Sequence, residues 1–368
     1  MKFTCEREII MKEIGNAYEI ISVRNTVSIL ANVYFRAELG KLIIRATDLK
    51  VFYESSINID SVVDGSVTVF CDKLHNILRA LPDGEIEFTT SENNTLNIRP
   101  LFKNISFKLK GISTEKYPGF DKPNADSFFS FPRKDFLDLI SKTLFAVSTD
   151  ETRYFMNGVL LEKKQDLLKM VATDGRRLAL AHKRADNTVS DFEGIIVPPK
   201  ILNVVKRQVS KEGEFLLAIS EKNIFIQYAN TYLSSNLIDA QFPNYDRVIP
   251  KNQEKSLNVI KKDLEEGLKR VSLLVEQKSR RIYLEISSNK IIVRSSEGDI
   301  GTAQEELSCD YDGINMTLAI NYSYLLDPLY EMESEKVTIE FTDPGKAISL
   351  KPIPEKNYFH IIMPMQSD

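Results

Sequence analysis

The sequence of 368 residues contains no tryptophan, three cysteines and three histidines. Cys5, Cys71 and Cys309 have no CxxC or other paired spacing, and their odd number argues against a disulfide framework. No apolar run approaches the roughly 20 residues that cross a bilayer, and no charged leader with an apolar stretch opens the chain. We therefore expect a soluble protein of a reducing cytoplasm.

Sequence patterns of catalysis and metal binding are also missing. His75, His182 and His360 show no spacing that would let two of them hold one metal ion. The Gly-Lys pairs at 40–41 and 345–346 lack the other residues of a nucleotide-binding P-loop, and no Gly-x-Ser-x-Gly elbow occurs. Carboxylates are plentiful, but none has a spacing that separates a catalytic pair from a solvated face. We expect no cofactor, no metal and no catalytic activity.

What the chain does have is one order of elements repeated three times, at a spacing of about 125 residues, the size of a small domain. Each copy opens with a strand and an amphipathic stretch, and we align the openings at Phe3, Phe131 and Leu257. Steps of four, three and four residues return to one face of a helix. The positions on that face are Ile10, Ile14, Ala17 and Ile21, then Phe136, Ile140, Thr143 and Val147, then Leu264, Leu268, Val271 and Val275.

Three further landmarks recur in each copy. An alternating apolar run that ends on a hydroxyl and a carboxylate lies at 44–48, 170–174 and 293–297. A second short helix is predicted at 73–81, 199–209 and 322–332. Paired strands are predicted at 85–89 with 95–99, 214–219 with 224–228, and 336–341 with 347–351.

Two helices and a set of antiparallel strands per copy predict an α+β fold of three similar domains. The first two copies each end on an aromatic-Pro step, Tyr117-Pro118 and Phe242-Pro243, which suits the entrance to a linker. We place the domains at residues 1–122, 127–248 and 249–368.

The net charge of -4 argues against nucleic-acid binding, which draws on a basic surface. Basic residues nevertheless gather on the predicted helices or at their ends. These are Lys73 and Arg79; Arg133, Lys134 and Lys142; Lys200, Lys206 and Arg207; and Lys261, Lys262, Lys269 and Arg270. On a single helix, a solvated polar face explains such residues more often than DNA contact does, and the second helix of the third copy has none.

The most distinctive local string is Val-Ala-Thr-Asp-Gly-Arg-Arg-Leu-Ala at 171–179. On its own it fits a strand with a tight Asp-Gly bend as well as it fits a functional loop. The string resembles the Ala-Thr-Asp-Gly-His-Arg-Leu-Ala signature of the bacterial sliding clamp, the beta subunit of DNA polymerase III. The family is also matched, in the same order, at 1–4, 153–158, 242–245 and 362–365. The resemblance covers essentially the whole chain.

The resemblance implies the DNA clamp fold, with helices lining a hole and sheets forming the outer wall. Three domains per chain, doubled in a head-to-tail homodimer, would close into a six-domain ring around double-stranded DNA. It further implies a non-catalytic processivity factor that tethers DNA polymerase III, the clamp loader and repair proteins, and binds DNA without sequence preference. Because such a ring holds DNA by topology, a mildly cationic inner surface suffices, which reconciles the acidic total with a DNA partner.

The resemblance also implies three sets of site residues. The DNA-facing residues are Arg24, Lys73, Arg79 and Lys200. A peptide-binding pocket between the second and third domains comprises Met156, Thr173, Gly175, Arg177, Leu178, Pro243, Arg247, Val248, Ile361, Met363, Pro364 and Met365. The dimer interface comprises Phe107, Leu109, Leu273 and Leu274. From the residues alone, a solvated helix end explains Lys73 as well as a phosphate contact does, and ordinary core packing explains the interface residues comparably well. For Met363 and Met365, the residues alone favour the capping of a core at the C-terminus.

Four features depart from the family pattern. Arg176 stands where His is usual and Met156 where Leu is more usual, so the charge and shape of the pocket differ. Asn25 follows Arg24 where Pro is common, so we expect a more mobile loop there. The chain ends Gln366-Ser367-Asp368, whereas the family commonly ends soon after a basic residue.

Two rival functions stay open on the residues alone. One is a hydrolase whose active site uses the Asp174 and Arg177 neighbourhood at a domain junction. The other is a monomeric adaptor that binds peptides and does not enclose DNA.

Overall fold

The computed structural model describes residues 1–21, 28–91, 93–120, 122–124, 127–185, 190–296, 298 and 301–366. The chain forms two compact units, and each is assembled from two separate stretches of sequence. Residues 1–134 and 200–237 make the first unit, and residues 135–199 and 238–368 make the second. Among the described residues, no helix combines the length and the apolarity needed to span a membrane.

Each sequence repeat contributes two helices to the described structure. They are α1 (Arg7–Ile20), α2 (Cys71–Ala80), α3 (Arg133–Thr143), α4 (Pro199–Gln208), α5 (Lys261–Val271) and α6 (Tyr322–Glu331). The apolar faces predicted for the first helix of each repeat are buried, as shown by Ile14, Ile140 and Leu268, all 0% exposed. The prediction of two helices per repeat is confirmed, and the ends of the second helix of each repeat lie within two residues of the predicted positions. Val147 and Val275, predicted on the first helices, lie beyond the ends of α3 and α5, because a 3₁₀ turn follows each of these helices.

Twenty-five strands lie in the described part of the chain. The first repeat holds β1 (Lys2–Glu6), β2 (Asn32–Glu38), β3 (Lys41–Thr47), β4 (Val51–Asn58), β5 (Asp60–Val63), β6 (Gly65–Phe70), β7 (Glu85–Thr90), β8 (Thr95–Pro100) and β9 (Phe107–Ile112). The second holds β10 (Phe129–Pro132), β11 (Val159–Lys164), β12 (Leu167–Thr173), β13 (Arg177–Arg184), β14 (Phe192–Val197), β15 (Glu214–Ile219), β16 (Asn223–Tyr228) and β17 (Thr231–Asn236). The third holds β18 (Lys255–Ile260), β19 (Arg281–Ser287), β20 (Lys290–Ser295), β21 (Gln304–Asp310), β22 (Met316–Asn321), β23 (Lys336–Phe341), β24 (Ile348–Ile353) and β25 (Tyr358–Ile362).

Each unit contains one extended antiparallel sheet. The first unit has 13 strands in the order β10-β15-β16-β17-β4-β3-β2-β6-β9-β8-β7-β1-β5. The second has 12 strands in the order β14-β11-β12-β13-β25-β24-β23-β18-β21-β20-β19-β22. The strands of the second repeat are thus shared between the two sheets, which is why the units do not coincide with the repeats. The predicted α+β class with antiparallel strands is confirmed.

A basic residue begins the first helix of every repeat and fixes the alignment of the three copies. These residues are Arg7, Arg133 and Lys261. Four positions earlier, on the preceding strands, lie Phe3, Phe129 and Leu257. The alignment of Phe131 with Phe3 is therefore wrong by two residues. Phe129 and Phe131 share one face of β10, and Phe131, at 1% exposure, is the more buried of the two, so the sequence pattern did not separate them.

In both units, a strand of one repeat pairs with the last strand of the next repeat. In the first unit β4 pairs with β17, the last strand of the next repeat, and Tyr53 lies opposite Leu233. In the second unit β13 pairs with β25, and Ala179 lies opposite His360. Tyr53 and Ala179 are equivalent by the helix-start alignment. Leu233 and His360 are equivalent when the strand pairing is followed from Phe129 and from Leu257. The register of the join is therefore the same at both junctions.

Two strands, β9 and β21, are equivalent to the strands that pair at these junctions but have no partner there. In β9, residues 107–110 pair with β8 alone, because β6 reaches only positions 111–112. In β21, residues 304–308 pair with β20 alone, because β18 reaches only positions 309–310. Within the described residues, one edge of each of these segments therefore carries unpaired backbone groups.

Candidate functional sites

The turn between β12 and β13 is built by the residues of the distinctive string. The Thr173 hydroxyl accepts a hydrogen bond from the Gly175 N–H at 3.0 Å and donates one to the Arg177 carbonyl at 2.6 Å. The Asp174 carboxylate accepts from the N–H groups of Arg176 and Arg177 at 2.9 and 3.0 Å. Gly175 has a φ of +85°, which favours glycine. The hydroxyl and the carboxylate are therefore needed to shape the turn.

Arg177 ties this turn to α6. Its guanidinium donates to Asp174 at 3.1 Å, to Asp327 on α6 at 2.6 Å and to the Phe145 carbonyl at 2.6 Å. It also lies over the Tyr324 ring, 4.8 Å from the centroid. The fork geometry of arginine allows all of these contacts at once. Because Asp174 and Arg177 satisfy each other, neither is placed as a free acid or base of a hydrolase.

An apolar cluster lies beneath the turn. Its buried members are Leu160, Val171, Leu178, Leu180, Tyr245 and Ile361. Met156 is also buried, and a Cβ added at Gly175 would lie 3.8 Å from its methyl group. Val248 and Met363 are about half exposed, so apolar surface is available to solvent next to the buried cluster. The implied pocket therefore contains both a buried apolar base and exposed apolar side chains.

The other implied pocket residues also lie in the second unit. Pro243 is half-buried and Arg247 is exposed, on the segment that carries Tyr245 into the apolar cluster. The N–H of Met363 donates to the Arg176 carbonyl at 2.8 Å, and that of Met365 donates to the Ala319 carbonyl at 2.7 Å. Backbone pairing thus places Met363 beside the β12–β13 turn and Met365 beside β22.

A cavity of about 430 Å³ adjoins the C-terminal segment. Its lining includes Met363, Pro364 and Met365 of the implied pocket. It also includes Arg176, which the sequence analysis names as a departure from the family pattern, and residues that sequence reasoning missed, namely Lys278, Arg281, Asn321 and Tyr324. These come from the turn, from the segment entering β19 and from the start of α6. No local motif joins these stretches, so only the fold could bring them together.

Of the four DNA-facing residues that the resemblance implies, Arg24 lies outside the described residues. Lys73 and Arg79 on α2 are exposed, and Lys73 has only a long ion pair of 3.9 Å with its neighbour Asp72. Their charges are thus accessible to solvent and to a polyanion.

Lys200 differs from Lys73 and Arg79 because its ammonium group is hydrogen-bonded inside the first unit. Its Nζ donates to the Asp48 carboxylate at 2.5 Å and to the Ile20 carbonyl at 2.6 Å. Burial raises the pKa of Asp48, but hydrogen bonds from Lys200 and from backbone N–H groups outweigh burial and hold that pKa below its usual value. Lys200 therefore fixes α4 to the ends of α1 and β3.

The implied interface residues lie on β9, one of the two strands with an open edge, and in the turn after α5. Phe107 and Leu109 are half-buried on β9. Leu273 is 81% exposed and Leu274 is 37% exposed, in the 3₁₀ turn that follows α5. Ordinary core packing does not account for Leu273, since a core leucine is removed from water.

His360, on β25, is buried, and its contribution to the free energy of unfolding depends on pH. Burial lowers its pKa to about 3, and the positive charges of Lys142 and Arg177 act in the same direction. An unfolded histidine takes up a proton near pH 6.5, so between pH 6.5 and 3 the unfolded state holds more protons. The free energy of unfolding should therefore fall by up to about 1.4 kcal/mol for each pH unit below 6.5.

Urea denaturation between pH 7 and 5 measures this contribution. His360→Gln cannot take up a proton, so its free energy of unfolding should decline less steeply over that interval than that of the wild type. Identical slopes for the two proteins would show that the buried histidine does not control the acid response.

Family models of the DNA polymerase III beta subunit match the chain in succession: the N-terminal domain at residues 1–121, the central domain at 130–244 and the C-terminal domain at 246–366. The chain belongs to the DNA polymerase III beta subunit family. It is a sliding clamp, a non-catalytic processivity factor of DNA polymerase III. The three-domain architecture is confirmed, whereas the boundaries at 122, 127, 248 and 249 stay a prediction.

Relatives of known structure and name agree. The clamp is 44% identical to the beta sliding clamp of Treponema pallidum and 30% identical to that of Caulobacter vibrioides, over 100% of each chain. Two solved structures, sliding clamps of Pseudomonas aeruginosa and Bartonella birtlesii bound to griselimycin, each match with a TM-score of 0.94 at 28% identity, over 100% of both chains.

Proposed function

We propose that the clamp works in the cytoplasm as a head-to-tail homodimeric ring around double-stranded DNA. It tethers DNA polymerase III, the clamp loader and other clamp-motif proteins through the peptide pocket. The observation that carries the proposal is the strand pairing that joins the repeats. It occurs twice within the chain and leaves β9 and β21 with open edges, so a second copy can supply the missing partner for each.

The two intrachain junctions also give the register of the intermolecular one. When the hairpins and helix starts of the three repeats are aligned, Ala303 takes the position of Tyr53 and Ala179. Phe107 takes the position of Leu233 and His360. Ala303 should therefore lie opposite the partner subunit's Phe107. The adjacent pair should be Gln304 and the partner subunit's Ser106, because antiparallel positions run in opposite directions.

Charge and apolar surface favour unlike edges. Exposed Lys108 and Lys110 lie on β9, whereas Glu305 and Glu306 lie on β21. Pairing β9 with its own copy would set these lysines side by side, whereas the proposed register places Lys108 opposite Thr302 of the partner subunit. Glu305 and Glu306 are ion-paired with Arg270 and Lys290 of their own chain. Leu273 lies in the turn after α5, a helix that an Arg270–Glu305 ion pair joins to β21, and it adds apolar area that a monomer leaves in water.

We propose that the first repeat lacks the peptide pocket because of the residue at one turn position. At the equivalent turn of the first repeat, Leu49 occupies the position of Gly175, with φ of 72°. Its N–H donates to Thr47 at 2.9 Å just as that of Gly175 donates to Thr173. A leucine side chain there fills the space that the glycine leaves open. The methionines of the second unit add a surface that can adapt to several related peptides.

DNA contact is proposed for Lys73 and Arg79, and for Arg24 by resemblance. A few lysines and arginines suffice for sequence-independent contact with phosphates. Lys200 is proposed to act mainly by holding α4 in place, since its ammonium group already has two partners.

Disulfide trapping tests the proposed junction and its register. Ser106→Cys combined with Gln304→Cys, in a Cys309→Ser background, should give a covalent dimer under mild oxidation because facing Cβ atoms lie about 4.5–5.5 Å apart. Cys5 and Cys71 are buried and should not compete. Ser106→Cys combined with Ala303→Cys is the matched control, since its two side chains point to opposite faces of the sheet. Equal cross-linking of both pairs, or of neither, would contradict the proposed register.

A further inference from the structure

Lys142, in the last turn of α3, is a buried lysine that lies at the end of another helix. Its side chain is 5% exposed, and its Nζ donates a hydrogen bond to the carbonyl of Glu331, the last residue of α6. The Asp138 carboxylate lies 3.8 Å from the same nitrogen, and the centroid of the Tyr358 ring lies 4.8 Å from it. A cation is favoured at this place because the last carbonyls of a helix lack intrahelical donors and carry partial negative charge.

The C-terminal end of α6 has no cation of its own and is held by lysines from other elements. The helix, Tyr322–Glu331, contains no basic residue. Besides Lys142, Lys261 at the start of α5 donates at 2.9 Å to the carbonyl of Met332, the residue directly after the helix. Two lysines, one from α3 and one from α5, therefore fix this end of α6.

The middle of α6 supports the turn of the peptide pocket. Asp327 accepts a hydrogen bond from the Arg177 guanidinium at 2.6 Å, and that guanidinium lies over the Tyr324 ring, 4.8 Å from its centroid. The next residue, Pro328, has no N–H to donate to the Tyr324 carbonyl, so the helix lacks one intrahelical bond at this point. The position of Asp327 therefore depends in part on what holds the C-terminal end of the helix.

The contacts among α3, α6 and the turn support one another. α3 contacts the end of α6 through Lys142, and α6 contacts the turn through Asp327. Arg177 of the turn also donates at 2.6 Å to the carbonyl of Phe145, which follows α3 and is three residues after Lys142. A shift of α6 relative to α3 would therefore change the distance that the Arg177 guanidinium has to span.

We propose that Lys142 is a positioning residue of the peptide pocket: by fixing the end of α6 to α3, it holds Asp327 where Arg177 and the β12–β13 turn require it. The inference rests on the proposed peptide-binding function and adds a residue from outside the pocket to it. Lys142 is buried at the far end of α6, so it acts through Asp327 and Arg177 and not by contact with the peptide.

Titration with griselimycin, which related clamps of known structure bind, measures the effect. Lys142→Met keeps much of the side-chain volume but removes the donor and the charge. It should weaken binding about fivefold, within the range found for residues that couple to a site without touching its ligand. Asp138 keeps its ion pair with Lys183 at 2.7 Å, so the variant should fold. Lys142→Gln, which also removes the charge, replaces it if it does not, with the same expected loss.

A double-mutant cycle separates positioning from a general loss of stability. Asp327→Asn should weaken griselimycin binding about tenfold, because it removes a charged partner of Arg177. Adding Lys142→Met to that variant should cause less than about a twofold further loss, since the route through Asp327 is already broken. Lys163→Met is the matched control: this lysine is 3% exposed and paired with Asp191 at 3.0 Å, so its replacement should lower the stability and leave the affinity unchanged.

Three results would overturn the inference: an unchanged affinity of Lys142→Met, losses that multiply in the double variant, or an equal loss of affinity in Lys163→Met. Failure of the proposed peptide-binding function looks different, because then the wild type itself would not bind griselimycin, and the inference would fail with it.

Discussion

Leu273→Asp combined with Leu274→Asp should reduce the mass of the particle in solution from twice that of the chain to the 42.0 kDa of the chain itself. Burying each leucine in a dimer interface is worth about 1.5–3 kcal/mol, and burying an unpaired carboxylate there costs several kcal/mol more. The combined loss corresponds to a weakening of the dimer by more than about 10⁴-fold. Light scattering after size-exclusion chromatography at micromolar concentration measures the change.

The fold itself should tolerate these substitutions. Leu273 is 81% exposed in the chain, so its replacement removes little intramolecular packing. Leu39→Asp combined with Ile314→Asp is the matched control, because these residues are 86% and 75% exposed and lie in the β2–β3 and β21–β22 loops, outside the open segments 107–110 and 304–308. The control should stay dimeric. Loss of the dimer in both double variants, or in neither, would show that the interface is elsewhere.

Gly175→Leu should abolish ligand binding at the pocket while leaving the dimer intact. An added Cβ would meet the Arg153 guanidinium at 3.0 Å and the Met156 methyl group at 3.8 Å, and the rest of the leucine would project into the cleft. Loss of several apolar contacts and overlap with the ligand should weaken binding by at least about 100-fold, or roughly 2.7 kcal/mol. Titration with griselimycin, which is bound by the related clamps of known structure, gives the affinity.

The first repeat supplies the control for this substitution. Leu49 adopts nearly the same positive φ as Gly175, so a leucine can occupy this turn at a stability cost of about 1 kcal/mol. Leu49→Gly should leave griselimycin binding unchanged. If Gly175→Leu bound griselimycin as tightly as the wild type, the pocket would have to lie away from the β12–β13 turn.

The helices and strands of this fold could be predicted well from the sequence because the same pattern occurs independently in each repeat. The apolar face of α1 could be identified from Ile10, Ile14 and Ala17 without knowledge of its packing partners. The alignment of the strands between repeats was harder to predict. A period of two places Phe129 and Phe131 on the same face, so hydrophobicity alone could not choose between them, and the start of α3 was required.

The contacts of the charged residues could not be predicted from the sequence. Lys200 was predicted to face DNA, and its ion pair with Asp48 was not expected, because Asp48 lies 152 positions away and no local pattern links them. Lys278 and Tyr324 were missed because they reach the cavity from different elements. Long-range pairing of this kind depends on the topology of the sheets, which a single sequence does not display.

Retention on circular DNA tests the ring most directly. The clamp, loaded onto a nicked circular plasmid by the clamp loader and ATP, is separated from free protein by gel filtration and the plasmid is then cut at one site. We predict that the clamp elutes with the intact circle and is released from the linear product, since it can slide off the ends. Equal retention on circular and linear DNA would contradict enclosure and show that the clamp holds DNA by direct contacts.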